Sequence, residues 1–248
     1  MVVKLRLKIS LSKKDFKIPI SYNSILQGII YNTFDTGELG KFYHDEGFRS
    51  KEKVYKLFVF SNLFGKFKVS DKLLTFEENF YFYISALDER FIAHIYDFFC
   101  NNEYLFIGKE KVRISEIKII DTPILESKEI WVQTLSPVTV YRKVENCTIY
   151  YKPSDNEFFE LIEKNIRRKI AAYHYPISEY LFEILEFKNV KERMVRFKDC
   201  YYLSYSFQAK IKVSQAIFVL LYNTGVSAKN SCGFGMIDRY YEKNNLSL

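Results

Sequence analysis

"VVKLRLKI", residues 2–9, alternates without a break: Val3, Leu5, Leu7 and Ile9 share one face, and Lys4, Arg6 and Lys8 the other. A period of two marks a strand with one face in a core and one polar. The segments downstream turn that strand into a topology. A helix is expected over residues 24–34, where Ser24 and Gln27 have capping-box spacing. Next come a strand over 54–61, a turn at "NLFGK", a strand "FYFYIS" over 80–85 and a helix over 88–99. A strand over 111–120 closes the series and stops at Asp121, Thr122 and Pro123.

The order βαββαβ predicts an α+β, ferredoxin-like unit: a four-stranded antiparallel sheet with two helices on one face and the other face free. The rest of the chain has the same order. A strand runs over 130–141, and a helix over 156–172 carries Lys164, Arg167, Arg168 and Lys169. Short strands come near 181–187 and 194–197, then "YYLSYSFQAKIKV" (201–213), an apolar helix over 214–223 and a strand over 234–241. The 248 residues thus divide into two tandem ferredoxin-like domains, 1–124 and 125–248, with the boundary at 123–127.

Composition narrows the partner. The net charge is +7 and the pI about 9.0, with the basic excess spread over both halves, which favours a polyanion bound by an assembled surface. The 20 Tyr and 23 Phe exceed what cores of this size need and suggest faces that stack on a ligand. Cys100, Cys147, Cys200 and Cys232 form no CxxC pair and have no close His, so they make neither a zinc site nor a redox motif. They are expected as small buried hydrophobes in a reducing compartment. "MVVKLRLKISL" has no signal-peptide core, and no apolar run nears the about 18 residues of a membrane span. A soluble, cytoplasmic protein is expected.

"NTGVSAKNSCGFGMI", residues 223–237, concentrates glycine. Gly225 suits a helix stop, and Gly233 and Gly235 suit a bulge at the mouth of the last strand. No Gly-Lys-Ser/Thr and no following helix are present, so nucleotide-binding loops are excluded. In spacing and residue type, Gly225, Lys229, Gly233, Phe234 and Gly235 resemble the glycine-rich loop of the repeat-associated RNA-binding (RAMP) superfamily of CRISPR systems. "YNSILQGIIYNTF" (22–34), a His in the loop after it, "YKLFVFSNLFG" (55–65) and "QTLSPVTV" (133–140) are similar to the CRISPR-associated endoribonucleases that cut precursor CRISPR RNA.

That resemblance implies a metal-independent endoribonuclease with no cofactor. A 2′-hydroxyl would attack the adjacent phosphorus, giving a 2′,3′-cyclic phosphate or 3′-phosphate and a 5′-hydroxyl, with a His, a Lys and a Tyr at the scissile phosphate. It assigns Tyr31, His44 and Lys56 as catalytic, with Lys51 and Lys53 in reserve. It also assigns Gly225, Lys229, Gly233 and Gly235 to RNA binding, beside the basic helix at Arg167 and Arg168. The implied partner is CRISPR repeat RNA; other CRISPR complex subunits and a second copy of the chain stay open.

The residues carry their own weight beside the resemblance. His44 lies in a polar, lysine-flanked loop, His94 in an apolar helix where core packing explains it, and His174 at a helix end before a Pro. On a helical wheel Gln27 and Tyr31 fall opposite Leu26, Ile29, Ile30 and Thr33, which disfavours a core role for Tyr31. Lys56 shares a strand face with Val54, Phe58 and Phe60, so it needs an anion or an exit to solvent. Two other classes remain: a non-catalytic RNA-binding subunit of a CRISPR ribonucleoprotein, and a ferredoxin-like binder of an acidic protein or small ligand.

Overall fold

Leu5, Leu7, Ile9 and Leu11 are each at most 2 % exposed in the computed structural model, which describes residues 5–34 and 37–241. The apolar face of the opening alternation therefore lies in a core; Val2, Val3 and Lys4 fall outside the described residues. In the first half, β1 (Arg6–Ser12) and β2 (Phe16–Pro19) precede α1 (Asn23–Asn32) and a short α2 (Glu38–Lys41), which continues into a π-helical turn, Phe42–Glu46. After the turn come β3 (Phe48–Ser50), β4 (Lys53–Tyr55), β5 (Phe58–Phe60), β6 (Phe64–Ser70), β7 (Leu73–Ala86), α3 (Glu89–Cys100), β8 (Tyr104–Ile107) and β9 (Glu110–Ile120). One antiparallel sheet runs β2-β7-β1-β9-β8, with β5 and β6 also pairing β7.

The second half comprises β10 (Glu129–Thr134), β11 (Tyr141–Val144), β12 (Cys147–Tyr150), α4 (Asn156–Tyr173), β13 (Phe182–Phe197), β14 (Cys200–Val213), α5 (Gln215–Thr224) and β15 (Ile237–Arg239). Its sheet runs β13-β14-β10-β15, while β11–β12 and β3–β4 are separate hairpins. The chain is thus a mixed α+β protein. No helix among the described residues is long and apolar enough to cross a membrane.

Several expectations are corrected. No side chain caps α1, whose N-cap is Tyr22, so Ser24 and Gln27 form no capping box. The strand expected over 54–61 is broken: Leu57 has φ +50°, which a bulky side chain adopts only under tertiary constraint. The break leaves Val54 43 % exposed while Phe58 and Phe60 are fully buried, so Lys56 shares no continuous face with them. The short strands at 181–187 and 194–197 are one strand, β13, bulged between Ile184 and Glu186 and between Lys188 and Lys191. Cys100, Cys147 and Cys200 are exposed and Cys232 half-buried, so they are not core hydrophobes.

The free sheet face is corrected too. The polar side of β1 meets α5: Arg6 is fully buried, its Nη2 donates to Tyr222 O (2.5 Å) and Ile237 O (3.0 Å), and its guanidinium lies 3.3 Å from the Tyr222 ring centroid. Asp238, 3.6 Å away, supplies the counter-charge. Ser85, opposite Arg6 on β7, donates to the same Tyr222 carbonyl. One continuous core cluster accordingly contains Leu7, Phe58 and Phe82 from the first half and Ile211, Leu221 and Ile237 from the second.

Candidate functional site

His44 sits in the π-helical turn rather than in an open loop, and its neighbours explain why the turn holds. Tyr43, one residue before, is buried and donates to Asp88 Oδ2 at 2.9 Å, so the turn is pinned to the start of α3. Gly47 closes it with φ +69° and its N–H on Phe42 O at 2.7 Å. Lys56 Nζ donates to the backbone carbonyl of His44 at 2.9 Å. With the neighbouring backbone fixed on both sides, His44 is left exposed.

Tyr31 reaches the same place from α1. Its ring centroid is 4.6 Å from that of His44 and 5.7 Å, edge-on, from Phe58. The helical wheel rightly turns Tyr31 away from Leu26 and Ile30, but that second face of α1 is covered, leaving Tyr31 half-buried. Burial, and then the nearby Cys232 thiol, push its phenol well above the ordinary range, so it stays a neutral donor. Burial lowers the Lys56 ammonium, with Asp45 and Glu46 pulling it back up. Lys53 lines the same cleft, held below its usual value by burial and then by Arg168 and Lys164; Lys51 lies outside the lining, at the β3–β4 turn. The Tyr31 phenol thus packs on the His44 imidazole, while the Lys56 ammonium is held on the His44 backbone carbonyl; His44 and Lys56 line the cleft and Tyr31 stands behind His44, outside the lining. An imidazole and an ammonium in one cleft can hold an anionic centre and move protons.

The glycine loop is what covers α1. Gln27 donates to Ser231 O at 2.7 Å and Asn23 to Cys232 O at 3.2 Å. Gly225, Gly233 and Gly235 are buried, and their need is internal: a Cβ on Gly233, at φ +83°, would stand 2.5 Å from the Phe60 ring. The close approach expected from the glycine spacing is therefore of protein to protein. Lys229, with φ +61°, is exposed at the loop's crest. His44, Lys56 and Lys229 line one cleft of about 570 Å³.

The basic helix separates into three roles. Arg167 pairs with Glu163 at 2.7 Å and lies 3.9 Å from the Tyr180 ring centroid, outside the cleft lining. Arg168 lines an adjoining depression with Lys53, Tyr55 and Lys164. Lys169 is only 2 % exposed and donates to Thr224 O (3.0 Å), Gly225 O (2.6 Å) and Asn230 Oδ1 (2.8 Å), pinning α4 to the end of α5 and to the glycine loop. Its charge alone suggests part of a solvated face. Its spacing from Phe158, Ile162 and Ile166, all buried, is the signal that places it inside. His94 packs as expected, stacked on Phe34 at 4.3 Å with Nε2 2.8 Å from Thr33 O, and His174 is the left-handed C-cap of α4.

Burial pushes Lys169 down to about 7, against a usual ~10.4. Between those values the unfolded chain holds a proton that the folded one has released, so stability rises with pH across that window, at most ~1.4 kcal/mol per pH unit. Urea unfolding midpoints are expected to climb from pH 7 to pH 9. In Lys169→Met that component of the rise disappears; an identical slope in both proteins refutes it.

Comparisons with known proteins bear on the family and the fold. The family described as "CRISPR associated protein Cas6, C-terminal" matches residues 120–239. The CRISPR-associated endoribonuclease Cas6 of Pyrococcus furiosus is 27 % identical over 233 residues, spanning 90 % of this chain and 83 % of its own. A solved "CRISPR associated protein Cas6" superposes with a TM-score of 0.78 at 22 % identity, covering 96 % of this chain and 99 % of that one. "An RAMP protein binding different RNA substrates" superposes at 0.76 with 21 % identity, over 96 % and 100 %. The structural likeness speaks for the fold; the sequence matches, which between them span both halves, carry the family. The chain belongs to the Cas6 family of CRISPR-associated endoribonucleases.

Proposed function

We propose that this protein is a metal-independent endoribonuclease of the cytoplasm that cuts CRISPR repeat RNA in precursor transcripts to release guide RNAs. The observation that carries the reading is one cleft lined by His44, Lys56 and Lys229, with the Tyr31 ring packed on that of His44 and Lys56 held on the His44 carbonyl. His44 transfers protons to and from the reacting oxygens, Lys56 offsets the charge that grows on phosphorus, and Tyr31 donates to the nucleophile or the phosphate. The nucleophile is the RNA's own 2′-hydroxyl, so no metal is required to generate one. Lys229 and Arg168 hold neighbouring phosphates, and Gly225, Gly233 and Gly235 give the loop the shape that presents Lys229. The strand orders β5-β7-β1-β9 and β13-β14-β10-β15, each with its two connecting helices, support two ferredoxin-like domains, 1–124 and 125–248.

The test is incubation of the protein with its host's repeat RNA in EDTA, with analysis of the product ends. Cutting at one position, with a 2′,3′-cyclic phosphate or 3′-phosphate and a 5′-hydroxyl, is expected. Loss of cutting in chelator, restored by a divalent ion, overturns the mechanism.

A further inference from the structure

The cleft lining includes one ring that the cleavage chemistry does not use, and two more rings pack against it outside the lining. Tyr141, at the start of β11, lines the cleft together with His44 and Lys56. Its ring centroid lies 5.7 Å from that of Tyr150, its partner across the β11–β12 hairpin, and 6.3 Å from that of Tyr202 on β14, both tilted by about 50°. Tyr202 rests at 5.5 Å on Phe234, which is fully buried within the glycine loop. Lys229 Nζ stands 6.0 Å from the Tyr202 ring centroid. The Tyr150 hydroxyl donates to Tyr201 O at 3.1 Å, which ties the β11–β12 hairpin to the tip of the β13–β14 hairpin. That tip carries Arg196, Lys198 and a Tyr201 that is 61 % exposed.

These three rings are half-buried, and each is fixed by a different element, so the group is rigid without being core. A phenol is neutral at pH 7 even at its ordinary value of ~10, and burial raises all three further, Tyr202 to about 12, so the rings carry no charge that would repel phosphate. Half-buried aromatic rings beside a lysine at the border of a cationic cleft suit a strand whose bases are free to stack; a duplex, with its bases already stacked on one another, cannot use them.

We propose that Tyr141, Tyr150 and Tyr202, flanked by Lys229 and Lys198, form a stacking subsite for unpaired nucleobases of the RNA strand that leaves the cleft beside the cut. The inference rests on the reading of the cleft as an RNA site, and it commits the RNA next to the cut to being single-stranded. Stacking accepts any base, so the subsite selects for strand state rather than for sequence.

The experiment measures binding of repeat RNA made uncleavable by one deoxyribose at the cut, with 2-aminopurine placed in turn at each nucleotide flanking it. Tyr202→Leu and Tyr141→Leu are expected to weaken binding about five- to a hundred-fold without changing its salt dependence. Tyr202→Phe and Tyr141→Phe retain wild-type affinity, and Lys229→Ala lowers the salt slope by about one. In the wild-type complex, 2-aminopurine at one or more flanking positions is quenched, and Tyr202→Leu relieves the quenching. Wild-type affinity in both leucine variants overturns the proposal, as does equal loss in the phenylalanine variants, which would make the hydroxyls structural. Should the leucine variants fail to fold by circular dichroism, absence of quenching at every flanking position of the wild-type complex overturns it. If the wild-type protein binds no repeat RNA, it is the functional reading that fails, and this subsite with it.

Discussion

His44→Ala is expected to lower cleavage of repeat RNA by about two to four orders of magnitude, the usual worth of a positioned acid or base, while leaving RNA affinity little changed. The separation of the two effects comes from how the turn is held. Tyr43 anchors it to Asp88 and Lys56 anchors it through the His44 carbonyl, and neither contact uses the imidazole. Alanine therefore removes the proton carrier and a ring contact with Tyr31 but leaves the backbone in place. Lys56→Ala is the informative contrast, because it removes both a charge and a hydrogen bond that fixes the turn, and so is expected to damage cleavage and thermal stability together. The check is single-turnover cleavage beside equilibrium binding; equal loss of rate and affinity in His44→Ala would make His44 structural.

An RNA substrate with deoxyribose at the single position 5′ of the cut is expected to resist cleavage altogether and still bind. The 2′-hydroxyl there is the only nucleophile the proposed mechanism admits. Its advantage is that it already stands beside the phosphorus, which is worth a large effective concentration before any residue acts. Tyr31, His44 and Lys56 then have only to orient it, move its proton and offset charge. Binding depends on phosphates, which the substitution leaves alone. The measurement is a time course with the ribose and deoxyribose substrates side by side, backed by a binding isotherm; cutting of the deoxy substrate would point to attack by water and sink the mechanism for all three residues.

The elements legible in the sequence are those whose burial keeps a simple period. α3, expected over 88–99, runs Glu89–Cys100 with Phe91, Ile95 and Phe99 buried, and β1 keeps Leu7, Ile9 and Leu11 buried by alternation; the strand expected over 111–120 runs Glu110–Ile120 although a register shift interrupts its alternation. Leu57 is the opposite case, since nothing about a leucine announces a left-handed backbone; the break between β4 and β5 comes from packing the residue at 4 % exposure. Tyr31 and His44 stand out by residue type and resemblance, but their ring contact depends on a π-helical turn that has no sequence signal. Lys169 misleads because its charge is more conspicuous than its spacing. The glycines stand out for the right reason, a backbone that must pass close to something, but that something is Phe60 and its neighbours.

Arg6 has a consequence for how the polypeptide is made. Its two carbonyl acceptors lie 216 and 231 residues further along the chain. At roughly 5–20 residues per second of translation, β1 emerges some ten to forty seconds before the segment that will cover its guanidinium. During that interval water must solvate the charge, and the side of the first sheet that α5 will occupy stays open. The first 124 residues can pair their strands while nascent, but docking of α5 and β15 has to come late, and it removes the water from Arg6 in a single closing step. Contacts of such long range also slow the final collapse. The half-synthesised chain therefore leaves two surfaces open until the last segments arrive, the polar side of the sheet around Arg6 and the face of α1 that the glycine loop takes through Asn23 and Gln27.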